Sequence, residues 1–348
     1  MTSMKRYGAA VWARVTTTVQ RLLSRGKAET PRLRILIVIA HDKSWWSLNA
    51  VQQFIATLRE NMGQEAEPIF DIVSLQCSQE KLQAFIPTLM QEPRYDLVVT
   101  VGGWVTREVR DFLDTMPIPI PHIFCGVPDP VGMSIVDSLA ASGRLVTGVA
   151  SVPFDFGLQI EMIRALCPSI RAIGLISGIS VAMDTVSSFL GKQVSLFMQA
   201  CKERGIECVE IPLSNPDVLE FLLRDAKNTH GIGVVCALPC LFLAASSEQL
   251  IQACTAVGVP LCTSELSSVY HGAAIGFGEH GGVYGMYAAS LAYEVLVNHR
   301  PIEAMPIVQP PLQHTMRYNY DALIAQGVTV TPAMRHLLSM VSVFFPSQ

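Results

Sequence analysis

The sequence predicts an α/β protein of two similar, Rossmann-like lobes with parallel sheets and a cleft between them. One observation is a repeated pattern at a spacing of roughly 135 to 140 residues, in which an apolar strand, a polar or glycine-bearing turn and a helical stretch recur in the same order. A second is length, because 348 residues suffice for about two domains with separate cores. A third is composition: 50% hydrophobic and 16% charged residues exclude a disordered chain.

Four strands of the first half have counterparts in the second. The pairs are RILIVIA from Arg34 with RAIGLIS from Arg171, FDIVSL from Phe70 with CVEIPL from Cys208, DLVVTVGGW from Asp96 with GIGVVCALP from Gly231, and PIPHIFCGVPD from Pro119 with GVPLCTSE from Gly258. Strands that alternate with helices build open parallel sheets. A cleft between two such sheets is a place to hold a small molecule. Ligand binding is therefore the predicted function.

The elements follow in order along the chain. In the first half, the patterns predict strands at Ile35–Ala40 and near Phe70, Leu97 and Ile120, with helices at Leu48–Met62, Gln79–Met90 and Val105–Leu113. In the second half, strands are predicted near Ile173, Cys208, Gly233 and Pro260, and the helix Val283–Asn298 is expected to return to the first lobe.

The predicted lobes interleave along the chain. Residues 33–150 and 279–300 are assigned to lobe one, and residues 151–278 and 301–345 to lobe two. Residues 1–32 precede both and carry seven basic residues against one acid. They predict either a poorly ordered basic leader or an amphipathic helix at a membrane surface. A secretory signal is not evident, because polar residues interrupt the apolar run that it requires.

Charge and cysteine content narrow the partners and cofactors. A net charge of −4 without a basic face beyond the N-terminus argues against nucleic-acid binding. The nine cysteines have no regular framework, and several lie in apolar strands, where thiols act as small hydrophobic groups. Cys236 and Cys240 form a CxxxC pair with no histidine or second pair at zinc spacing. We therefore expect no metal, no cofactor and no disulfide on which folding depends.

Candidate ligand contacts lie where strands end, because ligands of open parallel sheets lie beyond the carboxyl ends of the strands and near helix N-termini. After the first strand come Asp42 and Trp45, and this tryptophan either stacks on a flat ligand or packs its own lobe. In VGGWVT, Gly102 and Gly103 allow a ligand close to the backbone, although a tight strand–helix turn needs the same residues. Trp104, the next residue, is a further candidate contact for a flat or apolar ligand.

Other strand ends supply acids. Asp129 lies between two prolines in VPDPVG, where it either caps the next turn or faces the cleft. In lobe two the turn 177–184 contains Ser180, and Glu265 follows the last strand of the repeat. The eight histidines are scattered singly and have no ligand spacing, so structural roles are expected for them.

Four segments carry a resemblance to a known family. VPDPVGMSIVDSL, GRLVTGVAS, EMIRALCPSIRAIGLI and VPLCTSELSSVYHGAAIGFG resemble, in order and spacing, the ABC-transporter substrate-binding proteins whose better-known members take up aromatic amino acids. The resemblance runs from about Arg34 to the end. It implies a type I periplasmic-binding-protein architecture with a hinge, crossings near 148–153, 276–280 and 301–309, a small-molecule ligand, an ABC permease as partner and an extracytoplasmic location.

The chain departs from its relatives at the turns that hold their ligand. Where they have NPGEANS the chain has GISVAMD, so an Asn–Ser pair becomes Met183 and Asp184. Where they have PTDNT the chain has LPCLF, which contains Pro239, Cys240 and Phe242. The acid of SDTSS persists in type as Glu265. The resemblance thus implies a cleft that has lost most partners for a free α-amino acid, with aromatic side chains and Glu265 left to bind a flat or cationic ligand.

Three alternatives to a transporter component remain open. The first is a cytoplasmic or membrane-associated ligand sensor with a repurposed pocket. The second is an enzyme, since Cys125 and Cys240 lie in corresponding regions of the two lobes, as in two-thiol racemases; no polar motif beside either lowers its pKa. The third is the effector domain of a transcription regulator, for which the residues before the first strand are too few to supply a DNA-binding domain.

Overall fold

Two separate sheets form the scaffold of the chain, as predicted. The computed structural model describes residues 32–63, 67–90, 94–178, 184–213, 215–311, 314–332 and 334–335. The strands of the first sheet are β1 (Arg34–Ile39), β2 (Ile69–Ser74), β3 (Leu97–Val101), β4 (His122–Val127) and β5 (Val146–Ala150). Their order is β2–β1–β3–β4–β5, and each neighbouring pair is parallel. We call the elements packed on this sheet lobe one.

The second sheet supports lobe two. Its strands are β6 (Ala172–Gly178), β7 (Glu207–Leu213), β8 (Val234–Ala237), β9 (Leu261–Thr263), β10 (Ile275–Gly278) and β11 (Thr315–Tyr318). The order is β11–β10–β9–β8–β6–β7, with β11 antiparallel to β10 and the other pairs parallel. β1, β3 and β8 are almost wholly buried runs of aliphatic residues, which is typical of parallel strands covered on both faces.

Helices connect the strands. They are α1 (Trp45–Met62), α2 (Gln79–Phe85), α3 (Gly103–Leu113), α4 (Phe156–Leu166), α5 (Asp184–Glu203), α6 (Leu219–His230), α7 (Leu241–Ala245), α8 (Ser247–Val257), α9 (Gly281–Leu296) and α10 (Tyr320–Ala325). Short 3₁₀ helices lie at Ile86–Met90, Pro216–Val218, Leu266–His271 and Ile302–Ala304. None of the helices in the described ranges combines the length and apolarity needed to cross a bilayer.

Two helices begin earlier than their patterns predicted, and both lie at strand ends. α1 begins at Trp45, because the Ser44 hydroxyl accepts a hydrogen bond from the Ser47 N–H at 3.2 Å and so caps the helix. α3 begins at Gly103, directly after Gly102, whose φ of 102° suits glycine. The predicted starts at Leu48 and Val105 are therefore corrected, and both tryptophans at these places lie in first helical turns.

α9 packs on lobe one, although it follows a strand of lobe two. Small residues of α9 allow close approach to α1: a Cβ added at Gly285 would lie 2.1 Å from the Ala50 carbonyl oxygen. Tyr284, Ala288 and Ala292 of α9 belong to the same buried cluster as the strands of the first sheet. The chain therefore returns to lobe one at α9, as its sequence pattern predicted.

The segment after α9 corrects one part of the predicted division into lobes. Residues from 301 onward were assigned to lobe two, but Ile302 and Met305 are buried in the lobe-one core, and Val308 bridges Val149 of β5. The chain rejoins the second sheet only at β11. The third crossing thus lies between Val308 and Thr315, and the other boundaries remain predictions.

Aromatic side chains from the three segments that join the sheets meet in one cluster. Phe154 follows β5, Phe277 ends β10, and His314 precedes β11. The ring centroids of Phe277 and His314 are 5.2 Å apart at an interplanar angle of 10°, and Phe154 meets both edge-on at 5.5 and 5.1 Å. Contacts at this spacing couple the three connections to each other.

Candidate functional site

A buried acid links the two lobes. Glu265 follows β9 and is 3% exposed. Its Oε1 accepts hydrogen bonds from the Ser44 hydroxyl at 3.0 Å and from the Trp46 N–H at 2.7 Å, both at the start of α1 in lobe one. We call the surface where α1 meets the 3₁₀ helix Leu266–His271 the seam.

The second carboxylate oxygen has weaker support. Glu265 Oε2 lies 3.4 Å from the Ser247 hydroxyl oxygen. That hydroxyl has a single hydrogen, which it donates to the Ala244 carbonyl at 2.6 Å. The Ser247 hydroxyl therefore supports the ionised form of Glu265 only through the longer of its two contacts. Oε2 is the oxygen of the pair with capacity to accept a further hydrogen bond.

Two further serine hydroxyls border the seam without normal hydrogen bonds. Ser47 and Ser268 are fully buried, and neither Oγ has a hydrogen-bond partner in the structure. The Ser268 hydroxyl still lies close enough to Glu265 to favour its ionised form. Buried polar groups are normally satisfied, so two unpaired hydroxyls on the elements that form the seam call for an explanation, and a polar ligand is one.

The protonation of Glu265 is set by two opposing effects. Burial raises its pKa to about 7, while the donors Trp46 N–H and Ser44 Oγ–H oppose that rise because they favour the carboxylate. A carboxyl group that titrates near neutrality exchanges its proton readily with a ligand or with solvent. This property is common at functional sites.

The rim of the seam carries an aromatic stack and a polar contact between the lobes. The rings of Trp45 and His271 lie 3.9 Å apart between centroids at an interplanar angle of 7°. The Asn49 side-chain amide donates to the Ser267 hydroxyl at 3.1 Å. Trp45 was predicted either to meet a ligand or to pack its own lobe; here it meets lobe two at the rim.

Trp46, next in sequence, has a structural role instead. Its ring packs on Tyr284 of α9, with centroids 5.3 Å apart. A Cβ added at Gly126 would lie 2.0 Å from its Cη2 atom, so the ring occupies the space that a side chain there would need. Trp46 thereby fixes the start of α1, and its own backbone N–H donates to Glu265 Oε1.

Other predicted contacts in lobe one have local explanations. Asp42 is exposed and pairs with His41 at 3.3 Å. Gly103 lies against Met133, since an added Cβ would meet its Cε at 2.7 Å. Asp129 accepts from the Gly132 N–H at 2.8 Å and so caps its turn, one of the two roles predicted for it. Trp104 is 6% exposed and packs in a buried cluster of lobe one, and its contact with a ligand stays a prediction.

Gly102 combines a positive φ, which glycine adopts readily, with committed hydrogen bonds. Its N–H donates to the Cys125 carbonyl at 3.1 Å, and its carbonyl accepts from the Thr106 hydroxyl at 2.7 Å. These bonds tie the end of β3 to β4 and to α3. The tight strand–helix turn, one of the two roles considered for VGGWVT, therefore explains why a glycine occupies position 102.

The predicted contacts in lobe two divide into described and undescribed positions. Ser180 and Met183 lie outside the described residues, as do residues 1–31, and Asp184 and Phe242 are placed only as members of α5 and α7. Pro239 and Cys240 are half-buried after β8. Cys240 packs against the lobe-two core and lies near Cys77 of lobe one, whose pKa is raised to about 12, chiefly by burial.

One of the two thiols named for possible catalysis, Cys125, is poorly disposed to it. Cys125 is 2% exposed within the lobe-one core, and burial raises the pKa of its thiol to about 12. A thiol with so high a pKa is protonated at neutral pH and is a weak nucleophile. All nine cysteines carry free thiols, and those at Cys125, Cys201, Cys236, Cys254 and Cys262 are buried.

Metal ligation finds no support in the described part of the chain. No group of three or more histidine, cysteine, aspartate or glutamate side chains lies close enough to hold an ion there. The described seam offers one carboxylate, serine hydroxyls and two aromatic rings. These groups suit an organic ligand with a hydrogen-bonding or charged group.

Two sheets with parallel strands, joined by three connections and meeting at a buried polar seam, define a protein of the type I periplasmic-binding class. The chain belongs to the family of ABC transporter substrate binding proteins, which it matches over residues 33–337. Members of this family hold a small molecule for transport. A comparison with curated proteins finds no match.

Solved structures share the fold at low sequence identity. An ABC domain from Streptococcus pneumoniae in complex with L-Trp is 16% identical, with a TM-score of 0.74 over 88% of this chain and 98% of that one. A conserved domain protein from Vibrio cholerae is 18% identical, with a TM-score of 0.72 over 87% and 97%. The ligand-free, open substrate-binding protein with adhesive properties from Clostridium difficile is 18% identical, with a TM-score of 0.59 over 86% and 96%.

Sequence reasoning named Glu265 and Trp45 as candidate contacts but did not name the residues that they meet at the seam. Ser44, Ser47, Ser268 and His271 complete the seam, and none of them stands out by spacing. One signal was available for Ser44, because a serine directly before an amphipathic stretch predicts an N-cap and hence a helix start at Trp45.

Proposed function

We propose that the seam around Glu265 is the place where this protein holds a small solute for an ABC permease. The observation that carries the proposal is the bridge from Glu265 Oε1 to Ser44 and Trp46, which joins the lobes through a buried carboxylate. A ligand that binds there contacts both lobes at once. Its binding energy therefore favours the closed arrangement over an open one.

The ligand contacts proposed from the described residues are Ser44, Ser47, Glu265, Ser268, and the rim residues Trp45 and His271. The buried hydroxyls of Ser47 and Ser268 supply hydrogen bonds that the protein leaves unmade. We propose no catalytic role for Cys125 or Cys240, since burial keeps the first of these protonated.

A thermal-shift screen of small solutes tests the proposal, with Ser44→Ala as the site variant and Ser78→Ala as its matched control. Ser78 caps α2 as Ser44 caps α1, by accepting from an N–H at 3.2 Å, but it has no bond to Glu265. Both substitutions remove a cap worth about 1 kcal/mol. A solute at about one hundred times its Kd adds about 2.7 kcal/mol of apparent stability.

The two variants separate a seam ligand from any other. We expect hits to stabilise the wild type and Ser78→Ala alike and to lose most of their effect on Ser44→Ala. Hits that stabilise both variants equally bind elsewhere and contradict the proposed site. A screen without any hit contradicts the proposed function.

A further inference from the structure

The charges buried in the closed protein bear on the chemical class of the ligand. We infer that the seam selects a protonated amine that carries no carboxylate, in preference to a zwitterionic amino acid. This inference rests on the proposed function and adds the substrate class to it.

The first step is charge balance within the described residues. Arg110 and Glu265 are the only buried side chains there that are ordinarily charged at neutral pH. Arg110 is committed elsewhere: its Nη2 donates to the Ser134 carbonyl at 2.8 Å and pairs with Asp111 at 2.6 Å. Glu265 therefore has no buried cation as a partner, and a ligand cation supplies the missing charge.

The second step is the supply of hydrogen-bond acceptors at the seam. An ammonium group donates three hydrogen bonds and accepts none. Glu265 Oε2 has only a long contact, at 3.4 Å, with the Ser247 hydroxyl, and it can accept one of the three. The oxygens of Ser47 and Ser268 are two further buried acceptors without partners. The elements that form the seam thus carry three acceptors, as many as a primary ammonium has donors.

The third step is the fate of a ligand carboxylate. Basic groups on the elements that form the seam are few and peripheral. Lys43, before α1, is exposed, and Arg59, in the last turn of α1, pairs with Glu67 at 3.9 Å. His271 is exposed with its ring against Trp45. His41 is less buried than Glu265, and burial lowers its pKa, which favours the neutral ring. Arg317 donates to the Tyr270 hydroxyl at 2.8 Å. A carboxylate at the seam would meet no described cation and would lie near Glu265.

The fourth step concerns the remainder of the ligand. The Trp45 indole lies one residue from the N–H that binds Glu265, so a flat group attached to the amine by a short linker reaches the aromatic rim. The 3.9 Å stack leaves no space between the two rings. A bound ring therefore replaces His271 against Trp45 or extends the stack at its edge. Arylalkylamines are the probes that fit this arrangement.

Titration calorimetry of matched compounds provides the test. One set is tryptamine, tryptophan and indole-3-propionate, and the other is 2-phenylethylamine, phenylalanine and 3-phenylpropionate. We expect each amine to bind at least tenfold more tightly than its amino acid, and the carboxylates to show no binding. Glu265→Gln removes the charge and should weaken amine binding by roughly ten- to a hundredfold.

Glu265→Gln should fold, because its amide oxygen can accept from Ser44 and Trp46 while its NH₂ group faces the Ser247 oxygen. Its circular dichroism and melting curve verify this. Amino-acid binding as tight as that of the matching amine, or amine binding unchanged in Glu265→Gln, overturns the inference. Failure of every amine also overturns it. If the solute screen then yields neutral or anionic hits that are lost in Ser44→Ala, the proposed function stands and only the substrate class is wrong.

Discussion

The buried carboxyl of Glu265 makes the stability of the ligand-free protein depend on pH in a defined direction. Burial raises its pKa in the folded protein from 4.5 to about 7. Between these two values the folded state holds a proton that the unfolded state has lost, so the free energy of unfolding falls as pH rises through this window. It is greatest below about 4.5 and levels off above about 7. One pKa unit corresponds to about 1.4 kcal/mol, so the full loss is about 3 kcal/mol.

Glu265→Gln isolates this contribution from all other titrations. Glutamine is neutral at every pH and can accept from Ser44 and Trp46 as the acid does. We expect the variant to be nearly as stable as the wild type at pH 5 and more stable at pH 8, by up to about 3 kcal/mol. Glu279, whose pKa burial also raises to about 7, titrates in both proteins and cancels in the difference.

Urea unfolding of both proteins at pH 5, 6, 7 and 8 measures this difference directly. Parallel stability profiles would refute the reasoning, because they would show that Glu265 ionises in the folded protein as it does in the unfolded chain. A variant that is less stable at pH 8 than the wild type would show that the carboxylate is stabilised at the seam by more than it loses through burial.

Three further predictions concern packing and thiols. Gly126→Ala should lower the free energy of unfolding by about 2–4 kcal/mol, because the added methyl group meets the Trp46 ring. Gly63→Ala is the control: its φ is similar and no atom lies within 4 Å, so it should cost about 1 kcal/mol. Equal losses in chemical denaturation would contradict this prediction. Phe277→Leu should cost about 1–3 kcal/mol and speed hydrogen exchange around Phe154 and His314; unchanged exchange there would show that the cluster does not couple the connections. Under native conditions at most the four partly buried cysteines should react with a thiol reagent, and rapid reaction of the five buried ones would show that the cores open readily.

The architecture was accessible from the sequence because it depends on local patterns. The buried aliphatic run at β1, with a polar turn and an amphipathic helix after it, specifies strand and helix without any knowledge of distant residues. The position of Glu265 after a strand was also accessible, and its role as a ligand contact stays a prediction.

The features that could not be predicted from the sequence depend on contacts between distant residues and on where helices begin. Ser44 and Glu265 are 221 residues apart, and their contact depends on how the lobes approach each other. The start of α3 was misplaced for a smaller reason: strand and helix follow each other directly at Gly102, so the helix begins at Gly103, two residues before the predicted start. Trp104 therefore lies in the first turn of the helix, where its ring is buried.

The stack of Trp45 on His271 makes the fluorescence of Trp45 depend on whether the two lobes are in contact. Indole emission is sensitive to water and to a neighbouring imidazole, and here both depend on the spacing between one residue of lobe one and one of lobe two. Trp104 is anchored within the lobe-one core, so its surroundings stay constant when the lobes separate. Among the described tryptophans, a change in emission on opening therefore comes from Trp45 and from Trp46, whose N–H donates to Glu265 of lobe two, and solute uptake can be followed without any attached dye.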